Sequence, residues 1–246
     1  MSSTRPHVPA ATAATVGAVV VDFDGTACLH DVAEHLLDAF AREDWTSLDE
    51  AWQRGTIGAQ DVVAAQSAML DADRQALIDH ALAHCVMDPT FAPFVTWAQG
   101  LGIEVALASD GFGFYIEPML AAAGVPPIPV ITNDQTWTDA GRPGGMVFGN
   151  RHPECIGCGT CKMLAVLERR QTRGAVAFVG EGSSDRYGAL YADVTFAKLD
   201  LVAHCERDGV PFVPWTDFDD VRHWLEAAPS LPGPVAPERC PGWTVP

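Results

Sequence analysis

Short apolar runs alternate with amphipathic stretches along most of the chain. Four of the runs have the length and unbroken hydrophobicity of strands buried on both faces: Ala18–Val21, 103–108, 176–179 and Val194–Ala197. A further strand candidate at 128–132 is followed by turn-rich sequence that ends at 146–148. Because amphipathic stretches separate the runs, the pattern predicts an α/β fold built on a parallel sheet.

The interval 30–88 breaks this rhythm. It contains no strand-like run, and its apolar residues recur at helical spacing, as in Leu36, Leu37 and Phe40. We interpret it as a helical insert after the first strand. The predicted organisation is a core of residues 16–29 and 89–228 around that insert. A flexible leader at 1–15 precedes it, and a solvated tail at 229–246, with six prolines in eighteen residues, follows it.

Composition and charge exclude several function classes. The chain has 246 residues, 48% of them hydrophobic, which is enough for a full-sized core. Fifteen Lys and Arg against 32 Asp and Glu give a net charge of −17, so nucleic acid and membrane surfaces are not expected partners. No apolar run is long enough to span a bilayer, the N-terminal stretch lacks a compact apolar region, and the seven Cys are an odd number. These features predict a cytoplasmic protein.

The first predicted strand ends in two carboxylates two residues apart, Asp22 and Asp24, which are followed by Gly25 and Thr26. Carboxylates at the carboxyl end of such a strand can converge on the crevice where open α/β sheets bind ligands. One can then attack a substrate while the other transfers a proton. For an isolated Asp-x-Asp, however, capping of the following turn is the favoured interpretation.

Three further segments add chemistry. The second strand ends in Ser-Asp-Gly at 109–111, a hydroxyl donor followed by a glycine whose N–H can approach an anion closely. Lys162 opens an amphipathic helix and is one of only two lysines in the chain. The strand at 176–179 runs into a Gly/Ser loop with Glu181 and Asp185, two acids able to hold a hard cation. Capping explains each segment but not their order.

In that order the segments resemble the motifs of the haloacid dehalogenase superfamily, specifically its phosphatases, over residues 17–225. The resemblance implies that Asp22 is a nucleophile that becomes an aspartyl phosphate and that Asp24 acts as acid and base. It also implies that Ser109 binds the phosphoryl group, that Lys162 neutralises it, and that Asp22, Asp185 and the Asp24 carbonyl hold Mg²⁺. The chemistry agrees, because a carboxylate that attacks a phosphate needs nearby positive charge.

The helical insert resembles the small cap of the phosphoserine phosphatase-like subgroup. Within that subgroup the closest resemblance is to the methylthiopentenyl phosphate phosphatases of methionine salvage. The segments that carry it are Asp44-Trp45 through Trp52, Gly55 and Ile57, then Cys158-Gly159-x-Cys161-Lys162, and Ala192-Asp193-x-x-Phe196-Ala197-Lys198. The substrate-side residues implied are Asp110, Gly111, Thr26 and Asp31.

Three positions have competing interpretations. The family has Asp where this chain has Glu181, which is expected to reach the metal directly, through a water, or not at all. Asp31 stands where phosphoserine phosphatases read a substrate amino group, but the N-cap of the following helix is the favoured role. Trp45 and Trp52, seven residues apart on one helical face, are favoured as core residues over substrate contacts.

Cysteines crowd the sequence just before Lys162. Reduced thiols that pack in a loop and fix Lys162 are the favoured interpretation. A structural zinc site is the first alternative, although successive gaps of three residues leave little loop for a tetrahedron. Its ligands would be His152, Cys155, Cys158 and Cys161. In a second alternative, Cys240 with Pro241 after it supplies a remote fourth thiolate for an iron–sulfur cluster.

The resulting hypothesis is a Mg²⁺-dependent phosphatase of small phosphorylated metabolites, with a Rossmann-like core and a helical cap that closes over the site. One alternative keeps the aspartyl phosphate but transfers the phosphoryl group to an acceptor alcohol. The other alternative is a non-catalytic module. In it, Glu181 prevents Mg²⁺ binding, and a metal held by the His/Cys cluster stabilises a binding surface.

Overall fold

A parallel sheet forms the centre of the computed structural model, which describes residues 16–155 and 157–244; the predicted leader at 1–15 lies outside the described residues. The strands are β1 Ala18–Val21, β2 Glu104–Ala108, β3 Val130–Ile131, β4 Asp134–Trp137, β5 Pro143–Val147, β6 Val176–Gly180, β7 Val194–Ala197 and β8 Phe212–Pro214. Within the described ranges, six strands pair in parallel in the order β3-β2-β1-β6-β7-β8, while β4 and β5 form an antiparallel hairpin. The predicted Rossmann-like α/β fold is confirmed.

Helices cover the sheet and fill the interval between β1 and β2. They are α1 Val32–Phe40, α2 Thr46–Gln53, α3 Ala59–Met69, α4 Arg74–His84, α5 Phe91–Gly100, α6 Ile116–Ala122, α7 Lys162–Arg173, α8 Arg186–Ala189, α9 Asp200–Asp208 and α10 Phe218–Glu226. Single turns of other helical geometry lie at Phe23–Ala27, Ser183–Asp185 and Pro241–Thr244.

The central strand β1 is apolar on both faces because helices pack on both sides of the sheet. Val19 and Val21 belong to one hydrophobic cluster, and Ala18 and Val20 belong to the other. All four residues are fully buried. This is why β1 is an uninterrupted apolar run rather than an alternating one.

The helices of residues 32–84 reach the sheet through two short segments that pair with each other. Leu29 donates its N–H to the carbonyl of Val86, and Asp88 donates to the carbonyl of Ala27, each at 2.9 Å. We call residues 27–29 and 86–88 the crossing ribbon. The helices also contact the β4–β5 hairpin, where the Ser67 hydroxyl donates to Gln135 Oε1 at 2.6 Å.

The proline-rich tail is hydrogen-bonded to the core, while its residues 229–239 are half-buried or exposed. Residues 229–240 form no helix or strand, yet Gly233 and Ala236 donate their N–H groups to carbonyls of Asp193 and Leu190 at 2.9 and 2.8 Å. Proline carbonyls remain acceptors, and Pro237 accepts from the Tyr191 hydroxyl at 3.0 Å. Among the described residues, no helix has the length and apolarity needed to cross a bilayer.

Candidate active site

The predicted site residues converge where the central strands end. Asp22 follows β1, Ser109 follows β2 and Glu181 follows β6. Strand β1 lies between β2 and β6, so its carboxyl end is the point where the chain departs to opposite sides of the sheet. Open α/β sheets bind ligands at such a point.

Lys162 lies between two carboxylates at the bottom of this site. Its Nζ donates to Asp22 Oδ1 at 2.7 Å, to Asp185 Oδ1 at 2.6 Å and to the Ser184 hydroxyl at 2.9 Å, and the side chain is only 2% exposed. Burial works against the charged amine, but Asp185 and Asp22 outweigh it and hold the pKa of Lys162 above its ordinary value. Burial and Asp185 in turn raise the pKa of Asp22. Lys162 acts in the opposite direction but does not cancel this rise. One cation thus serves two buried carboxylates.

Asp24 occupies an environment suited to a protonated acid. The backbone turns at Gly25, whose φ is +67°, and directs Asp24 toward the hydroxyls of Ser109 and Tyr115, both at 3.3 Å from Oδ2. The N–H of Val32 donates to Oδ1 at 3.0 Å. Burial and the nearby Asp31 raise the pKa of Asp24 to about 8. Burial thus favours the protonated form of Asp24.

The Ser-Asp-Gly segment after β2 links the site to the loop before α7. Gly111 donates its N–H to the Ser109 hydroxyl at 3.1 Å. Asp110 Oδ1 accepts the N–H of Thr160 at 2.7 Å, while Asn133 Nδ2 donates to the Asp110 carbonyl at 2.9 Å. Asp110 therefore positions the loop that delivers Lys162.

The loop after β6 closes the other side of the site. Asp185 is fully buried, and its Oδ2 accepts the N–H groups of Glu181 and Gly182 at 2.8 and 2.9 Å. The Glu181 side chain lies over Gly25, where an added Cβ would be 2.8 Å from the Glu181 Cδ atom. Burial and Asp185 raise the pKa of Glu181 to about 7. Gly25 therefore makes room for the Glu181 side chain.

The donor set fits Mg²⁺, because hard carboxylate and carbonyl oxygens are the ligands that this ion prefers. Asp22 and Asp185 are buried together, so a second cation beside Lys162 would relieve their repulsion. The structure shows no zinc site: nowhere in residues 16–155 and 157–244 do three or more His, Cys, Asp or Glu side chains form a metal-binding group. The expected Mg²⁺ site is different, because two carboxylates and one backbone carbonyl would hold the ion. It therefore does not need three such side chains.

A cavity of about 270 Å³ separates the strand ends from the helices of residues 32–84. Asp22, Asp24 and Lys162 line its floor, and Trp45 and Trp52 line the opposite wall. The sequence favoured both tryptophans as core residues; each is instead half-buried and faces the cavity, although Trp45 also packs against the core.

The remaining predicted residues divide between the cavity and the interior. Asp110, Gly111 and Asp31 line the cavity, and Asp31 also caps α1 by accepting the N–H of Glu34 at 2.9 Å. Thr26 is fully buried away from the lining, and its hydroxyl has no hydrogen-bond partner among the described residues.

Sequence reasoning missed three polar side chains that hold the site together. Tyr115 contacts Asp24, Ser184 contacts Lys162 and Asn133 contacts Asp110. Ser184 lies in the Gly/Ser loop after β6 that the sequence analysis identified, so its place in that loop could have indicated a site residue. Tyr115 and Asn133 reach the site only through tertiary packing.

The site therefore places a buried carboxylate beside a lysine at the carboxyl end of the central strand of a parallel sheet. Residues 19–189 match the haloacid dehalogenase-like hydrolases, and the chain belongs to that family. The resemblance inferred from the motifs is confirmed.

Named relatives agree with this assignment. The 2-hydroxy-3-keto-5-methylthiopentenyl-1-phosphate phosphatase of Brevibacillus brevis is 29% identical over 83% of this chain and 93% of its own length. Pdp3-interacting factor 1 of Schizosaccharomyces pombe is 26% identical over 85% of this chain and 94% of its own. A phosphoserine phosphatase structure superposes with a TM-score of 0.65 at 13% identity, covering 85% of this chain and 98% of that one, which shows the shared fold. The expected enzyme class, phosphatase, is confirmed.

Proposed function

We propose that the chain hydrolyses a small phosphate monoester through an aspartyl phosphate on Asp22, with Mg²⁺. The observation that carries the proposal is the pairing of two unlike acids at one crevice. An Asp22 oxygen accepts a hydrogen bond from Lys162 Nζ at 2.7 Å, whereas Asp24 faces the hydroxyls of Ser109 and Tyr115, and burial raises its pKa to about 8. The reaction requires a nucleophilic carboxylate beside an acid that can give up a proton, and these different partners favour that division of roles.

The first step forms a bond between an Asp22 carboxylate oxygen and phosphorus and breaks the bond from phosphorus to the leaving oxygen. The Asp24 proton passes to that oxygen, so the product leaves as a neutral alcohol. In the second step Asp24, now a carboxylate, takes a proton from the water that attacks phosphorus and regenerates Asp22. Lys162 and Ser109 hold the phosphoryl oxygens while charge moves across them.

The metal would be held by Asp22, Asp185 and the Asp24 carbonyl, with Glu181 close enough to the same side of the site to tune it. When bound, Mg²⁺ supplies positive charge against the phosphate and its attacking carboxylate. The loop that holds Asp185 through two backbone N–H groups fixes that ligand in place before any substrate enters.

The cavity lining favours a leaving group without negative charge. Among the described lining residues, Lys162 is the only basic side chain, and it already contacts Asp22 and Asp185. The lining helices contribute Asp31, Glu34 and Asp49, so a substrate carboxylate would meet like charge there. The indole rings offer apolar surface instead, which suits a group such as the methylthiopentenyl chain named for the relatives.

The seven cysteines are all free thiols in the structure. This supports the proposal that the enzyme works in the reducing cytoplasm on a small phosphorylated metabolite.

Acid-quench trapping with a ³²P-labelled monoester tests the nucleophile. The parent should retain label in an acid-stable, alkali-labile form, and Asp22→Asn should lose both the label and at least about a thousandfold of turnover. Asp44→Asn, a substitution of an exposed acid outside the lining, is the control and should behave as the parent. A fully active Asp22→Asn with an unchanged circular dichroism spectrum would overturn the mechanism.

Product analysis with added glycerol separates hydrolysis from phosphotransfer. Hydrolysis releases the phosphoryl group as inorganic phosphate, whereas phosphotransfer would yield glycerol phosphate.

A further inference from the structure

A serine and a histidine form a pair at the edge of the candidate active site and take no part in the phosphoryl transfer proposed above. The imidazole Nε2 of His204, on α9, lies 3.0 Å from the hydroxyl oxygen of Ser183. Ser183 opens the single helical turn after β6 and lines the cavity. The residue therefore borders the space that a substrate would fill.

Helix α9 is tied to the loop of Ser183 through its first turn. The N–H of Leu201 donates to the carbonyl of Glu181 at 2.7 Å. Leu199, the residue before α9, has a φ of +48°, a left-handed conformation that few residues with a side chain adopt. Such a conformation persists only where the surrounding structure holds it. The start of α9 is therefore fixed relative to the loop, and so is His204, one turn into the helix.

The surroundings of the imidazole select one of its two neutral tautomers. His204 Nδ1 is buried and has no hydrogen-bond partner in the described part of the chain. If Nδ1 carried the proton, a buried N–H donor would be left unpaired, which folded proteins tolerate less often than an unpaired acceptor. The proton therefore belongs on Nε2, the nitrogen that faces Ser183.

The charges around His204 oppose a second proton on the ring. Burial, Arg207 and Arg186 lower the pKa of His204, and they outweigh Asp208 and Asp200, which raise it. A doubly protonated ring would in addition place an N–H at Nδ1, where the described residues offer no acceptor. Both observations favour a neutral ring that donates through Nε2.

Ser183 then accepts through its oxygen and keeps its own proton free. A hydroxyl group has one donor and two acceptor lone pairs, so a bond from the Nε2–H leaves the O–H available. The carboxylates of Asp31, Glu34 and Asp49 in the same lining only accept hydrogen bonds when they are ionised, and so does a phosphate dianion. A free O–H is therefore the kind of group that a phosphate in this cavity needs.

We propose that Ser183 is a substrate-binding residue that donates its hydroxyl proton to a phosphoryl oxygen, and that His204 is a positioning residue that holds the hydroxyl in this orientation. Both roles rest on the proposed function, since they require a phosphate in the cavity. The two residues after Ser183, Ser184 and Asp185, accept hydrogen bonds from Lys162, which holds phosphoryl oxygens in the proposed reaction. The loop of Ser183 therefore borders the phosphate side of the cavity. His204 acts through Ser183 and does not touch the substrate.

A double-substitution cycle with inorganic phosphate tests the pair. Titration calorimetry of the full chain with Mg²⁺ gives the affinity for phosphate, and steady-state assays with a monoester give KM and kcat. Ser183→Ala should weaken phosphate binding and raise KM by about ten- to a hundredfold, as expected for a hydrogen bond to a charged group, while kcat changes less. His204→Leu should show part of this loss, and His204→Gln, which keeps a donor, should show less of it. His223→Leu, the same change at an exposed position on α10, is the matched control.

The double variant separates positioning from a structural role. If His204 acts through the hydroxyl, Ser183→Ala with His204→Leu binds phosphate no more weakly than Ser183→Ala alone, whereas losses that add would overturn the role of His204.

Nitrogen NMR tests the orientation of the pair without turnover. The ¹⁵N shifts of the His204 ring, assigned by their absence in His204→Gln, should report a neutral ring with its proton on Nε2; a proton on Nδ1 would overturn the orientation. Phosphate binding that Ser183→Ala leaves unchanged would overturn the role of Ser183. A parent that binds phosphate but hydrolyses no monoester would overturn the proposed function instead, and a parent that binds no phosphate would overturn both.

Discussion

The buried lysine of the active site allows a quantitative test of the charge arrangement. Lys162 is 2% exposed and makes three hydrogen bonds, two of them to carboxylates. Lys162→Met keeps much of the aliphatic volume but leaves Asp22 and Asp185 facing each other without a cation. Breaking a buried ion pair by removal of one partner costs about 3–5 kcal/mol, so a loss of that order is expected in the free energy of unfolding without metal.

The loss should depend on pH with a definite sign. Burial and Asp185 raise the pKa of Asp22 in the folded protein above the value of about 3.9 that an unfolded chain gives it. The folded state then binds more protons than the unfolded state between the two values, and stability falls as pH rises through that window. Lys162→Met removes a charge that lowers the pKa of Asp22 and so widens the window. The deficit should therefore be smaller at about pH 4, close to the unfolded value, than at about pH 8.

Urea unfolding, followed by tryptophan fluorescence in the presence of EDTA, measures this deficit for the parent and Lys162→Met at both pH values. Arg54→Met is the control, because Arg54 is 61% exposed and such a surface pair contributes less than about 0.5 kcal/mol. Added Mg²⁺ should stabilise Lys162→Met more than the parent, since it restores positive charge between the carboxylates. A Lys162→Met protein as stable as the parent near about pH 8, or with a deficit independent of pH, would refute the reasoning.

Three further predictions concern the same site. Ser109→Ala should lower kcat by about ten- to a thousandfold with little change in KM, measured by steady-state phosphate release; a rise in KM alone would make Ser109 a simple substrate anchor. Glu181→Ala should raise the Mg²⁺ concentration for half-maximal activity, while Glu181→Asp preserves or lowers it, and a Glu181→Ala titration identical to the parent would show that Glu181 does not act on the metal. Phosphoserine should have a kcat/KM at least about tenfold below that of phosphoethanolamine, because among the described lining residues its carboxylate finds no cation besides Lys162, which already contacts Asp22 and Asp185; equal values would contradict that assignment.

Sequence reasoning located the sheet wherever a strand is buried on both faces. The expected bounds of β1 and β7 agree with the structure, and both strands are buried throughout. It missed β8, which is short, only half-buried and ends in Pro214. It also took the β4–β5 hairpin as turn-rich sequence, because β5 contains Pro143 and two glycines and is partly exposed. Weak burial leaves no apolar run to detect.

The candidate site was predictable to the extent that its residues follow strands. Asp22, Ser109 and Glu181 each come directly after one, so the position along the chain predicts the position in space. Tyr115 and Asn133 have no such marker. Each reaches its partner in the site through tertiary packing, and that convergence has no local periodicity.

The crossing ribbon determines how a substrate can enter the cavity. Since its two segments are hydrogen-bonded to each other, they bend together as a single band and do not act as two independent tethers. A tilt of helices α1–α4 away from the strand ends would bend this band, and it would also break side-chain contacts such as the Ser67–Gln135 hydrogen bond. Removal of that contact is expected to favour opening of the cavity without altering any group that takes part in the chemistry.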